Sequence, residues 1–135
     1  MPQTRIIFPG ITLVCDLFFH LTNTSPRHTS QNLDGLVNLV ELNLSSNRLA
    51  SLDGLPRLPA LQSLDVAANE LSHLGGALAN VPALRRLVAS YNCIRDVEGV
   101  EHLEALVALD LVGNDLADVT ALTPLAHLHS LHSLT

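Results

Sequence analysis

Along most of the chain the apolar residues fall in one recurring order. In Leu39-Val40-Glu41-Leu42-Asn43-Leu44-Ser45-Ser46-Asn47-Arg48-Leu49 they stand at the first, fourth, sixth and eleventh positions, with an asparagine at the ninth. The order returns as Leu61, Leu64, Val66, Asn69, Leu71, then as Leu84, Leu87, Ala89, Asn92, Ile94, and then as Leu106, Leu109, Leu111, Asn114, Leu116. The asparagines are spaced by 22, 23 and 22 residues. Self-similarity at a fixed period of this length marks a repeat protein, in which each unit is one turn of a coil. Within a unit, Leu42-x-Leu44 alternates with period 2, so both leucines face one side of a short strand while Glu41, Asn43 and Ser45 face the other. One such strand cannot bury its apolar side alone. Stacked in parallel, the copies share a continuous core.

The pattern predicts strands near 41–43, 63–65, 86–88 and 108–110, and a fifth near 130–132. Between them, Leu55 to Ala60, Ala77 to Ala83, Val100 to Ala105 and Leu122 to His127 carry apolar residues three apart, which predicts short α or 3₁₀ helices on the outer face. Gly54, Gly76 and Gly99 are expected at tight turns or helix entries, with Ala121 replacing the glycine in the fourth unit. Asn47, Asn69, Asn92 and Asn114 stand where the chain turns out of each strand and its backbone groups lose their sheet partners. An amide side chain, which both donates and accepts, can satisfy groups of its own turn and of the next one, so the four are expected to form a ladder.

These residues resemble the leucine-rich repeat family, from about Leu33 to Thr135. The closing halves, Leu49-x-x-Leu52-x-Gly54-Leu55-x-x-Leu58 and Ile94-x-x-Val97-x-Gly99-Val100-x-x-Leu103, are similar to those of its short intracellular subclass. That subclass includes a regulatory subunit of type-1 protein phosphatase, an axonemal dynein light chain, and centrosomal and ciliary proteins. Ser90-Tyr91-Asn92 resembles a tripeptide of its ciliary members. The resemblance implies a right-handed α/β solenoid with a concave parallel sheet and short helices on the convex face. It further implies a scaffold or regulatory subunit that binds a protein in the cytoplasm, at a cilium, centrosome or cytoskeletal assembly.

Residues 1–32 stand outside the repeat and 33–135 form the repeat domain, of about four full units and part of a fifth. The segment Ile6 to Phe19 is apolar apart from Thr12 and Asp16 and is broken by Pro9-Gly10. It is expected to be an N-terminal cap in which Ile11, Leu13, Leu17 and Leu21 cover the edge of the first strand. The competing reading takes residues 1–25 as a secretory signal ahead of a secreted or membrane-tethered recognition domain, with Asn23-Thr24-Ser25 as a glycosylation sequon. Asp16 inside the run and bulky residues after it argue against that reading, and the run is too short to span a membrane. Leu33-Asp34-Gly35-Leu36 repeats the closing half of a unit and opens the regular coil. At the other end Ser133 is expected in a core leucine position, leaving an exposed Leu125–Leu128–Leu131 edge.

Composition narrows the function. The net charge is −6, and all seven basic residues are arginines, so the basic stripe that a nucleic-acid backbone demands is missing. Cys15 and Cys93 are the two cysteines and have no paired spacing, which fits a reducing compartment. No catalytic or phosphate-cradling motif is present, and no cofactor is implied. His127, His129 and His132 cluster near the end of the chain without zinc-ligand spacing. The candidate site is therefore the concave face, read in rows across the repeats: Glu41, Ser63, Arg86, Ala108; then Asn43, Asp65, Val88, Asp110; then Ser45, Ala67, Ser90, Val112; then Ser46, Ala68, Tyr91, Gly113. Tyr91 and Arg86 are the expected anchors, since Tyr and Arg are frequent at interface hot spots. Asn43, Val88 and Val112 share the face, while Glu41, Asp65 and Asp110 are expected to select a basic partner face.

Overall fold

The computed structural model describes Thr4–Ile7 and residues 37–135. The readings placed on Ile11 to Leu21, on the Asn23 sequon and on Leu33-Asp34-Gly35-Leu36 lie outside those residues. Six strands form one sheet in chain order: β1 (Thr4–Ile7), β2 (Leu39–Asn43), β3 (Ser63–Asp65), β4 (Arg86–Val88), β5 (Ala108–Asp110) and β6 (Ser133–Leu134). Every neighbouring pair is parallel. From β2 to β5 each strand is followed by a return segment on the opposite side, so this part of the chain advances one strand per turn.

The apolar rows of the sequence become rows of the core. Leu42, Leu64 and Leu87 pair in register with Leu109 at the end of the series, and all four are buried. Leu44, Val66, Ala89 and Leu111 form a parallel buried row, as do Leu39, Leu61, Leu84 and Leu106. The return segments supply the opposing wall, including Leu52, Leu55, Leu58, Leu74, Leu78, Val97, Val100 and Leu103. Aliphatic layers of this kind remove nearly all their side-chain surface from water, which stabilises the coil by roughly 1.5–3 kcal/mol per large side chain.

The helices are all 3₁₀ among the described residues: Gly76–Asn80, Val100–His102 and Val119–His127. Leu55 to Leu58 is irregular and Pro59-Ala60 a turn, in place of the expected helix. A 3₁₀ turn repeats every three residues, and this matches the Leu52, Leu55, Leu58 spacing better than a period of 3.6. At the entry to Gly76–Asn80 the residue with positive φ is Gly75, not Gly76. Gly99 caps the third return segment with φ +100, and a Cβ built there falls 2.2 Å from the Gly75 carbonyl oxygen. Adjacent turns touch backbone to backbone at that point, which only glycine allows.

The last turn departs most from the pattern. Leu134, not Ser133, pairs with Leu109, and Ser133 pairs with Ala108, so this interval is 25 residues instead of the usual 22. β6 accordingly lies beyond the expected 130–132. The extra three residues sit in the return segment. Leu116-x-x-Val119 copies Leu49-x-x-Leu52, yet Val119 is 83% exposed because the helix starts there, with Asp118 as N-cap. Leu122 and Leu125 then take the inward positions, and Ala121 lies inside the helix rather than at the glycine position. The expected exposed leucine edge is replaced as well. Leu128 is buried, Leu125 and Leu131 are half-buried, and Val119 and Leu134 carry the exposure.

Asp118 has a defined role in that variant turn. Its carboxylate accepts from the Thr120 hydroxyl and the Thr120 backbone N–H, and Ala121 N–H bonds its main-chain carbonyl close by. These donors, the Thr120 hydroxyl first, hold its pKa below the ordinary carboxylate value. A carboxylate with a depressed folded-state pKa contributes stability that is present above the unfolded-state pKa and is lost as pH falls through the folded value. Helicity of the Val119–His127 segment is therefore expected to fade as the solution is acidified below about pH 4. Asp118→Ala should weaken it at neutral pH and remove that acid step, read by amide exchange of residues 119–127.

Candidate concave docking face

The asparagine positions are joined by a continuous run of hydrogen bonds. Asn69 Oδ1 accepts from Leu49 N at 3.1 Å, Asn92 Oδ1 from Leu71 N at 3.0 Å, and Asn114 Oδ1 from Ile94 N at 3.0 Å. In return, Asn69 Nδ2 donates to Leu44 O, Asn92 Nδ2 to Val66 O and Asn114 Nδ2 to Ala89 O, each one turn back, at 3.0, 3.0 and 2.9 Å. Each amide also donates within its own turn: Asn47 to Leu44 O, Asn69 to Val66 O, Asn92 to Ala89 O and Asn114 to Leu111 O. The carbonyls of Leu44, Val66 and Ala89 thus each take two amide donors, one for each lone pair. Among the described residues no buried side-chain nitrogen or oxygen lacks a partner. One cross-turn amide has no periodic signal in the sequence. Asn80 Nδ2 donates to Leu55 O at 2.8 Å on the convex side, at a position that other units fill with Arg57 and His102.

The sheet's other face carries the candidate binding residues. Glu41, Ser63, Arg86 and Ala108 are in register across β2 to β5, and so are Asn43, Asp65, Val88 and Asp110. Arg86 is exposed; Glu41, Asn43, Asp65, Val88 and Asp110 are half-buried. Beyond the strands the row of Ser45, Ala67, Ser90 and Val112 is uneven, since Ser90 is buried and Val112 is exposed. Cross-turn bonds continue there, from Ala68 N to Ser90 O and from Tyr91 N to Val112 O, so these rows are held as firmly as the strands.

Two features of this face arise from turn geometry. The first is an Asx turn in three of four repeats: Asn43 Oδ1 accepts from Ser45 N at 2.9 Å, Asp65 Oδ1 from Ala67 N at 3.0 Å, and Asp110 Oδ1 from Val112 N at 3.1 Å. The Asx residues in this row are thus turn residues as well as surface residues. Their shared position between the two inward residues of each strand, as in Leu42-Asn43-Leu44, was a readable signal. The second feature is a left-handed backbone just before each ladder asparagine, with φ of 57° at Ser46, 54° at Ala68, 55° at Tyr91 and 72° at Gly113. Only glycine enters that region freely. Nothing in Tyr91's type predicted it; the turn shape common to the four repeats imposes it.

Tyr91 is 65% exposed. Its ring lies over the next turn, where a Cβ built on Gly113 would come within 2.6 Å of Tyr91 Cδ1. The glycine leaves the ring a flat backbone surface to rest on. Arg86, Val88, Tyr91 and Val112 therefore gather on the third and fourth repeats, while the first two present Glu41, Asn43, Asp65 and small residues. Among the described residues no group of histidine, cysteine or acidic side chains has the arrangement to hold a metal ion. No helix among them is long and apolar enough to cross a membrane.

With this geometry in view, the chain can be set beside known proteins. The leucine rich repeat family profile matches residues 37–94 and again 59–116. The chain is 34% identical over 115 residues to the mouse leucine-rich repeat serine/threonine-protein kinase 1, a match that spans 75% of this chain and 5% of the kinase. It covers only the kinase's leucine-rich repeat region. Among solved structures, internalin C2 of Listeria monocytogenes is similar with a TM-score of 0.67 and 35% identity, over 76% of this chain and 44% of that one. A chain of the Drosophila melanogaster SNF/U2A' complex aligns with a TM-score of 0.63 and 23% identity, over 84% of this chain and 79% of that one, a likeness of fold. Periodic leucines, stacked parallel strands, the asparagine ladder and these matches agree: the chain belongs to the leucine-rich repeat family, a family of binding scaffolds that are in general not catalysts.

Proposed function

We propose that this chain is a non-enzymatic docking module whose concave sheet binds a protein partner. The observation that carries this reading is the division of the sheet into two faces. One is an unbroken aliphatic core; the other presents Tyr91, largely exposed, beside Arg86, Val88 and Val112. The strands are held to one another through their backbones, so Arg86, Val88 and Val112 are not needed to close the coil. Tyrosine, with two side-chain torsions, loses little conformational entropy on binding, and arginine is frequent at interface hot spots. Binding would proceed by surface complementarity, with the Asp65 and Asp110 carboxylates setting the sign of charge that the partner presents. The solved complex that contains a similar fold is consistent with use as an assembly surface. The resemblance to the short intracellular subclass further supports a cytoplasmic role, as a phosphatase-regulatory or cilium- and cytoskeleton-associated scaffold.

The test separates anchor from framework. Tyr91→Ala should leave stability within about 0.5 kcal/mol of the parent, because Ala68 already occupies the equivalent left-handed position. It should nevertheless weaken capture of the physiological partner. Gly113→Ala should weaken capture too, since its new methyl group drives the Tyr91 ring from its seat. Retained capture by both variants, measured on protein shown to be folded by its melting curve, would place the docking surface elsewhere.

A further inference from the structure

The row of Asp65, Val88 and Asp110 crosses three adjacent strands in register. Neighbouring strands lie about 4.8 Å apart, so the two aspartates stand about 10 Å apart with the valine midway. Both carboxylates are fixed in place by the Asx turns, through Ala67 N and Val112 N. That turn requires an acceptor and not a charge, because Asn43 makes the same bond in the first repeat. The two negative charges are therefore surplus to the fold, and they flank an apolar side chain. Arg86, on the same face and two residues before Val88, keeps a cation away from the middle of the row.

We infer that the occupant of this face is an amphipathic α-helix lying across the strands, with Lys or Arg at two positions seven residues apart and an aliphatic residue between them. The inference rests on the concave-docking reading above and gives its partner a chemistry. A helix rises 1.5 Å per residue, so positions i and i+7 lie about 10.5 Å apart on one face. That separation sets one cation over Asp65 and the other over Asp110. The side chain at i+3 or i+4 falls between them, onto Val88, with Tyr91 and Val112 extending the apolar contact. An extended peptide puts its same-face side chains about 6.8 Å or about 13.6 Å apart, and neither spacing reaches both carboxylates. The charges select this partner and its orientation more than they supply affinity.

A library of alanine-rich helical peptides, randomised at i, i+3, i+4 and i+7 and selected against the full chain, tests the assignment. The expected winners carry Lys or Arg at i and i+7 and an aliphatic residue between. Their affinity should fall about 5- to 10-fold on the Asp65→Asn/Asp110→Asn double variant at low salt, while its melting temperature is unchanged because asparagine keeps the turn bond. A proline in the middle of the peptide should abolish binding. Winners without the basic pair, winners indifferent to the double variant or to the proline, or no winners at all would overturn the basic-helix assignment. Binding that falls on Tyr91→Ala but not on the double variant removes that assignment and leaves concave docking standing. Binding indifferent to both removes the two together.

Discussion

Asn92→Ala is expected to lower the stability of the coil by about 3 kcal/mol, a large share of the 5–15 kcal/mol typical of a folded domain. The reason lies in what each partner loses. Leu71 N–H is bonded to Asn92 Oδ1 and is left with no acceptor in a buried setting, which alone costs about 1–3 kcal/mol. Val66 O and Ala89 O fare better, since each retains the amide of the adjacent rung. The rest of the loss comes from the Asn92 bonds themselves. A second substitution separates these parts. Asn92→Asp keeps an acceptor for Leu71 N–H but sets a carboxylate oxygen against the Val66 and Ala89 carbonyls. Its folded-state pKa must therefore rise above the unfolded value of about 3.9, so the variant is most stable below that pH and loses stability as pH climbs through the raised value. Urea unfolding of the parent and both variants at pH 7 and pH 4 reads the effect. Asn92→Ala within about 1 kcal/mol of the parent would mean that water replaces the amide and that the ladder is not what joins the turns. Asn69→Ala, at the equivalent buried position, should behave like Asn92→Ala.

Leu64→Ala is the second large effect. Leu64 is fully buried and stands in register between Leu42 and Leu87, so truncation opens a cavity at the centre of the shared core. Such changes cost about 2–5 kcal/mol, or roughly 10 °C in melting temperature for a domain of this size. A thermal melt decides it, and a shift no larger than that of Tyr91→Ala would contradict a continuous spine. The contrast between these positions carries the argument for function. Leu64 and Asn92 are set by the coil's own needs, whereas Tyr91 is tolerated at an awkward backbone angle that alanine fills equally well one turn earlier.

How far the sequence alone reached depended on whether a feature repeats. Strands β3, β4 and β5 were placed to the residue because the leucine period and the asparagine step agree there. The two concave rows that lie on the strands followed at once, since side chains alternate along a regular strand. β6 was misplaced because three residues inserted after Leu116 are invisible to a pattern that keeps finding leucines three apart; Val119 satisfies the spacing and still faces solvent. β1 was missed for a different cause. Thr4–Ile7 contains no leucine and lies outside the repeat spacing, and it joins the sheet through backbone pairing with β2. The surface was only partly readable. Its residues could be named, but the Asx turns at Asp65 and Asp110, the burial of Ser90 and the seat of Tyr91 on Gly113 depend on the path of the chain between strands.

The rungs of amides also bear on how such a chain can change its length. Of the neighbouring turns, Asn69, Asn92 and Asn114 each grip the one behind, through the same two backbone positions every time. A whole turn can then be added or removed as a cassette, with the flanking turns closing on one another through unchanged grips. Breadth of the docking surface becomes a matter of copy number, and its chemistry a matter of which few outward residues each copy carries.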